Sequence, residues 1–149
     1  YEPGLGIAYP PGWLETHEEA LAGGDAEKVI RAVLIDILEM SEEDVETRRA
    51  APQWPAYLNA AATVLREART EHTWVYRPGA LDRVDAPTLV LVGAETSPAL
   101  MRSTLRAAAA IPGARTQVLG GHGHLACITD PSLIASIITQ FCGIGGAPS

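Results

Sequence analysis

The sequence predicts an α/β fold, and two patterns carry that prediction. The run Thr-Leu-Val-Leu-Val within Pro87–Gly93 is apolar or β-branched throughout, which is typical of a strand buried on both faces of a parallel sheet. After it come a helix opened by Ser97-Pro98, a second strand over Arg115–Leu119 and a last helix that begins at Pro131. Strand, helix, strand, helix is the order of a right-handed parallel unit.

Each of the two predicted helices in this unit has one apolar face. The inward positions are predicted to be Leu100, Met101, Leu105, Ala108 and Ile111 in the first helix, and Leu133, Ile134, Ile137, Ile138 and Phe141 in the second. We place the whole α/β segment at residues 81–142. Residues 143–149, rich in Gly, Pro and Ser, predict a flexible tail.

The first 80 residues have a different pattern. Residues 1–12 include six Pro or Gly residues and predict an irregular loop that leaves the end of a strand. Residues 13–80 predict a helical segment, in which Asp25 and the Ser41–Asp44 pair are N-cap signals. Within it we predict a helix over Ala56–Glu67 and a short strand inside Thr73–Tyr76.

Length and composition exclude several classes of protein. The 149 residues are 47% hydrophobic and 19% charged, which suits one ordinary domain and excludes a disordered tail, a collagen-like fibre or a coiled coil. A net charge of −7 argues against a nucleic-acid binder, and the apolar runs are too short to cross a bilayer. Cys127 and Cys142 predict reduced core thiols in a cytoplasmic protein, with a single disulfide between them as the alternative.

Taken together, these features resemble the C-terminal end of an α/β-hydrolase. The Pro87–Gly93 strand, the helix after it, the Arg115–Leu119 strand and the turn Gly120-Gly121-His122-Gly123-His124 follow that family's order. Tyr1-Glu2-Pro3 resembles the exit of the family's sixth strand, and the helical segment resembles the cap (lid) inserted after it. The resemblance implies hydrolysis of esters, epoxides, lactones or carbon–carbon bonds, with no cofactor and no metal.

One part of the family pattern is missing from the sequence. The family's nucleophile lies on a Gly-x-Ser-x-Gly elbow before the cap, and this sequence has no such motif. The chain begins at Tyr1 rather than methionine, so we expect a processed product or a piece of something longer. The apolar Thr88–Val92 run also predicts a partner for the sheet: an N-terminal hydrolase half, a separate subunit or another copy of this chain.

His124 is the candidate catalytic base. It follows a glycine-rich turn at the carboxyl end of a predicted strand, where open α/β sheets place ligands, and the resemblance implies the histidine of a catalytic triad. His122 is the weaker alternative. A His-x-His metal pair and a nucleophilic pair of Cys127 with a histidine are less favoured, since metal-ligand spacing is absent and the thiol has apolar neighbours in the sequence.

The resemblance also implies a carboxylate that orients this histidine. The family commonly places it three residues beyond the glycine of the seventh strand, which here is Thr96. We choose Glu95, one residue earlier, as the acid, and keep Glu2, in the loop after the sixth strand, as the alternative.

Aromatic side chains are concentrated in the cap-like segment. Trp13, Trp54 and Trp74 are predicted to contact a small apolar substrate, although burial in the segment's own core accounts better for any single one of them.

The leading prediction is the C-terminal part of a serine-type hydrolase that supplies base and acid but not the nucleophile. An aspartate in the missing elbow would permit epoxide or haloalkane chemistry instead. The alternative is a non-catalytic binding or interaction module derived from a truncated hydrolase fold. We expect no nucleic-acid or membrane partner.

Overall fold

The computed structural model describes residues 1–74 and 77–143. The chain divides into two compact units. The helical unit is Gly4–Pro78, and the sheet unit joins Tyr1–Pro3 to the chain from Gly79 onward. The first three residues therefore belong with the second half of the sequence. The mixed α/β class is confirmed, and the predicted tail beyond Gly143 lies outside the described residues.

The described part of the helical unit consists of four α-helices and one π-helical turn. These are α1 (Trp13–Ala22), α2 (Ala26–Ala32), the π-helical turn Val33–Ile37, α3 (Glu42–Arg49) and α4 (Trp54–Thr73). Both predicted N-caps form. Asp25 accepts a hydrogen bond from the Lys28 N–H at 2.9 Å, and the Ser41 hydroxyl accepts one from the Asp44 N–H at 3.1 Å.

Helix α4 is longer than the sequence predicts. It begins at Trp54 and continues through Thr73, where we had expected a short strand. The Thr73 hydroxyl donates back to the Arg69 carbonyl at 2.8 Å, and the Trp74 N–H donates to the terminal Thr70 carbonyl at 3.0 Å, so the helix is closed after Thr73. The rest of the predicted strand, Val75 and Tyr76, lies outside the described residues.

In the described part of the sheet unit, two parallel strands form the sheet. Its elements are β1 (Leu89–Gly93), α5 (Pro98–Ala110), β2 (Arg115–Leu119), α6 (Ala126–Thr129) and α7 (Pro131–Cys142). The strands pair in register from Leu89 opposite Arg115 to Gly93 opposite Leu119. Their carboxyl ends therefore lie side by side, and the loops that follow them start from neighbouring points.

Helices cover β1 closely. Leu91 and Leu119 form a buried cluster with Ala126 of α6 and Ile137 of α7. Val90 and Val92 point to the opposite face of the sheet and are only 6% and 0% exposed. Helix α5 also packs against β1.

A third segment runs beside β1, on the edge away from β2. The Glu2 N–H donates to the Leu91 carbonyl at 3.0 Å, so Tyr1–Pro3 lies next to the strand. Residues of the same unit therefore bury Val90, Leu91 and Val92, and the expected partner for the sheet stays a prediction. The exposed strand is β2, whose first four residues are open to solvent.

Several side chains predicted to be buried are exposed. Leu105 of α5 is 43% exposed and Ile138 of α7 is 50% exposed, and both Cys127 and Cys142 are exposed free thiols rather than core residues. A helical pattern shows which face of a helix is apolar, but tertiary packing decides how much of that face is covered. Among the described helices, none combines the length and the apolar character that a membrane span requires.

Candidate active site

A carboxylate and an imidazole meet at the carboxyl end of the sheet. Glu2 lies beside β1, and His124 follows the glycine-rich turn after β2. The distance between Glu2 Oε2 and His124 Nδ1 is 2.7 Å. The Glu2 side chain is 0% exposed, whereas that of His124 is 34% exposed. The pair therefore has a buried end at the carboxylate and an accessible end at the imidazole.

Three donors surround the buried carboxylate. The Gly93 N–H donates to Oε1 at 2.6 Å, and the Thr96 hydroxyl donates to Oε2 at 3.1 Å. His124 Nδ1 is the third partner. A buried charge is costly unless it is paired and hydrogen-bonded, and this carboxylate meets both conditions.

Glu2 also has an unusual backbone conformation. Its φ is +42°, in the left-handed region that non-glycine residues seldom adopt. Such strain persists when surrounding contacts determine the conformation, and here the Glu2 N–H bond to Leu91 and the carboxylate contacts act together. The residue is thus held from both its backbone and its side chain.

The loop Gly120–His124, here called the histidine loop, is anchored at three points. The Glu95 N–H donates to the His122 carbonyl at 2.9 Å, and the Tyr1 hydroxyl donates to the Gly123 carbonyl. The Tyr1 ring stacks on the His124 ring with centroids 6.3 Å apart. Burial, and then the nearby Glu2 and Cys127 charges, raise the pKa of Tyr1 to about 12, so its hydroxyl remains a donor at neutral pH.

Gly93 allows this loop to approach β1. A Cβ at position 93 would lie 2.9 Å from the His122 carbonyl carbon and 3.0 Å from the Gly123 oxygen. These are backbone atoms, which have little freedom to move aside. Glycine is therefore required at the end of β1 for the close contact between strand and loop.

The geometry determines which tautomer the neutral imidazole adopts. An ionised carboxylate can only accept hydrogen bonds, so Nδ1 carries the proton that faces Glu2. Nε2 then presents its lone pair, and within residues 1–74 and 77–143 it makes no hydrogen bond. An imidazole arranged in this way can take a proton at Nε2 while Glu2 stabilises the resulting positive charge.

The structure pairs His124 with Glu2 rather than with Glu95, the acid we chose from the sequence. The Glu95 side chain is exposed, and its backbone N–H is the group that contacts the histidine loop. Glu2 reaches His124 because Tyr1–Pro3 lies beside β1, and the histidine loop is bonded to the residues that follow β1. Gly93, Thr96 and Tyr1 complete the site, and sequence reasoning assigned none of them a role there.

The predicted substrate-contacting tryptophans lie in the helical unit. Trp13 and Trp54 are 5% and 7% exposed, and Trp13 Nε1 donates to Asp36 Oδ2 at 2.8 Å. Trp74 is half-buried just after α4. Within the described residues, no three His, Cys, Asp or Glu side chains cluster as metal ligands would.

Comparison with solved structures gives the fold a precedent. An α/β-hydrolase from Sphaerobacter thermophilus matches with a TM-score of 0.77 at 22% identity, over 95% of this chain and 56% of that one. A hydrolase from Pseudomonas aeruginosa matches with a TM-score of 0.57 at 18% identity, over 94% and 53% of the two chains. Est816, an N-acyl homoserine lactone degrading enzyme, matches with a TM-score of 0.52 at 22% identity, over 93% and 54%.

These similarities rest on structure alone. No protein-family model matches the sequence, and no curated protein matches it. The chain spans about half the length of the solved structures it resembles. Together, the parallel strands, the helices around them and these matches show that the chain has the fold of the C-terminal portion of an α/β-hydrolase.

Proposed function

We propose that this chain supplies the general base and the orienting acid of a serine-type hydrolase, with His124 as the base and Glu2 as the acid. The observation that carries the proposal is the 2.7 Å contact between His124 Nδ1 and a fully buried carboxylate, with Nε2 left for a reacting group. A histidine that merely faced solvent on a loop would not need a buried carboxylate partner. Here that carboxylate is also held by the Gly93 N–H and the Thr96 hydroxyl.

The reaction would be acyl transfer to water. His124 would take the proton of the nucleophile at Nε2 and return it to the leaving group, while Glu2 keeps the imidazole in one tautomer and stabilises its charged form. The nucleophile would come from a Gly-x-Ser-x-Gly elbow on an N-terminal hydrolase half, since this sequence has no such motif. With an aspartate in place of that serine, the same base would serve the hydrolysis of an epoxide or a haloalkane.

For the substrate we keep the class that the sequence predicts, a small apolar ester or related compound. Trp74 is the one of the three predicted tryptophans that is not buried, and so is the one we would test for substrate contact. The expected result for Trp74→Ala is a higher KM with kcat little changed.

The test is ester hydrolysis by the protein as its source makes it, so that any partner carrying the nucleophile is present. We expect His124→Ala to lower kcat by about 10⁴-fold or more and Glu2→Gln by about 10³- to 10⁴-fold, because removing one member disables a triad. Glu95→Gln makes the same carboxylate-to-amide change on an exposed side chain and should retain activity. A rate that is insensitive to His124→Ala would overturn the proposal.

The second candidate, a non-catalytic binding module, is favoured by the missing elbow motif. It predicts a sample that contains only copies of this chain and has no His124-dependent hydrolysis. Native mass spectrometry of the undissociated sample separates the two functions. A second polypeptide that reacts with a fluorophosphonate probe supports the hydrolase, and a homo-oligomer without esterase activity supports the module.

A further inference from the structure

Thr96 contributes a side chain to the candidate site that neither the triad nor the sheet requires. It is half-buried in the loop after β1, and its hydroxyl donates to Glu2 Oε2 at 3.1 Å. The same oxygen lies 2.7 Å from His124 Nδ1. One carboxylate oxygen therefore accepts from both Thr96 and His124.

We propose that Thr96 is a positioning residue that acts through Glu2 on His124. It holds the Glu2 carboxylate in the rotation that turns Oε2 toward Nδ1, and so keeps the imidazole in a single tautomer. The inference rests on the proposed function, since it assigns a role within that same site.

The need for a second donor follows from the freedom of a carboxylate. The last torsion of a glutamate side chain is broad, so a single contact on one oxygen leaves the group able to turn. The Gly93 N–H holds Oε1, and the Thr96 hydroxyl holds Oε2. These two donors fix the plane of the carboxylate independently of the imidazole, and the remaining lone pair of Oε2 faces the histidine.

The Thr96 contact differs from the other threonine contacts of the sheet unit. The Thr88 hydroxyl donates to the carbonyl of Ala86, two residues away, and the Thr129 hydroxyl donates to that of Leu125, four residues away. Those bonds are local. The Thr96 hydroxyl instead reaches a residue 94 positions away, on the segment that carries the acid.

The test is the state of the His124 ring in the full chain, measured by NMR. The ¹⁵N shifts of the two ring nitrogens report the tautomer, and the Nδ1–H proton reports the bond to Glu2. In wild type we expect one tautomer and a slowly exchanging, strongly downfield Nδ1–H signal, which His124→Gln removes. Thr96→Val should mix the tautomers and speed exchange of that proton by about tenfold or more, since a hydrogen bond to a charged group is lost.

The controls separate positioning from general loss of structure. Thr96→Ser keeps the hydroxyl and should restore the wild-type signal. Thr88→Val makes the same chemical change away from the site and should leave the His124 ring unaltered. An unchanged tautomer and exchange rate in a folded Thr96→Val protein would overturn the inference.

The two proposals fail in distinguishable ways. If Glu2→Gln removes the Nδ1–H signal but Thr96→Val does not alter it, positioning by Thr96 is refuted and the proposed function stands. If Thr96→Val alters the ring as expected but ester hydrolysis does not depend on His124, the proposed function is refuted and the hydrogen-bond role of Thr96 stands.

Discussion

The Tyr1 phenol links the start of the chain to the histidine loop. Its hydroxyl donates to the Gly123 carbonyl and its ring stacks on His124. Burial, and then the Glu2 and Cys127 charges, raise the pKa of Tyr1 from 10.0 to about 12. The folded state thus favours the neutral phenol, which is the form that can donate the hydrogen bond.

This shift predicts a dependence of stability on pH. Because the folded-state pKa is raised, the stabilisation from Tyr1 is complete below pH 10.0 and is lost as the pH rises toward 12. We expect the difference in free energy of unfolding between wild type and Tyr1→Phe to shrink across that window. Urea unfolding at several pH values measures it, and a difference that stays constant would contradict the prediction.

Thr104 and Ser103 are neighbouring buried residues of α5 whose hydroxyl groups are expected to have opposite effects on stability. Thr104 is 0% exposed, and its Oγ1 has no hydrogen-bond partner in the described part of the chain. Ser103 is 4% exposed and donates to the Pro3 carbonyl at 3.1 Å. An unsatisfied buried hydroxyl costs free energy, whereas a bonded one stabilises.

We therefore expect Thr104→Val to raise the free energy of unfolding by about 1 kcal/mol and Ser103→Ala to lower it by a similar amount. The two changes lie side by side on one helix, so each serves as the control for the other. Denaturant unfolding with an unchanged slope measures both. Destabilisation by Thr104→Val would show that the hydroxyl has a partner.

At the scale of elements, the site depends on how closely a loop approaches a strand. At the carboxyl end of β1, the Gly93 N–H donates a hydrogen bond to the Glu2 carboxylate. A Cβ on the same residue would press on the His122–Gly123 backbone. The same residue thus contacts both Glu2 and the loop that carries His124.

Gly93→Ala should consequently disturb both. We expect a loss of about 1–3 kcal/mol in the free energy of unfolding, because a Cβ would press on backbone atoms. The His124 ring signals should shift at the same time. Gly120→Ala is the matched control, since a Cβ there would meet nothing within 4 Å. Equal stability of the two variants would contradict the packing argument.

The sequence patterns predicted most elements because their signals are local. The apolar run of β1 and the caps at Asp25 and Ser41 are each encoded within a few residues. The periodicity of α5 was less informative. It placed Leu105 inward, yet that side chain is 43% exposed, because the periodicity marks the apolar face but does not record what packs against it.

At the scale of the whole molecule, the described residues hold the Glu2–His124 pair, and the sequence has no elbow motif for the nucleophile that our proposal requires. We expect the chain expressed alone in a foreign host to show no acyl-enzyme burst with an activated ester. His124→Ala should match wild type in that assay. A burst that His124→Ala abolishes would place the nucleophile within this chain.

The residue pattern determined the order of the elements, the helix caps and the position of His124 after a glycine-rich turn, since each depends on neighbours in sequence. Only the tertiary structure decided which carboxylate faces the imidazole. Glu95 follows β1, and Glu2 lies where the resemblance places the exit of the sixth strand. No local sequence pattern records the distance from either carboxylate to His124. Glu2 meets the ring because Tyr1–Pro3 packs against β1, and that contact joins residues that lie about 90 positions apart in the sequence.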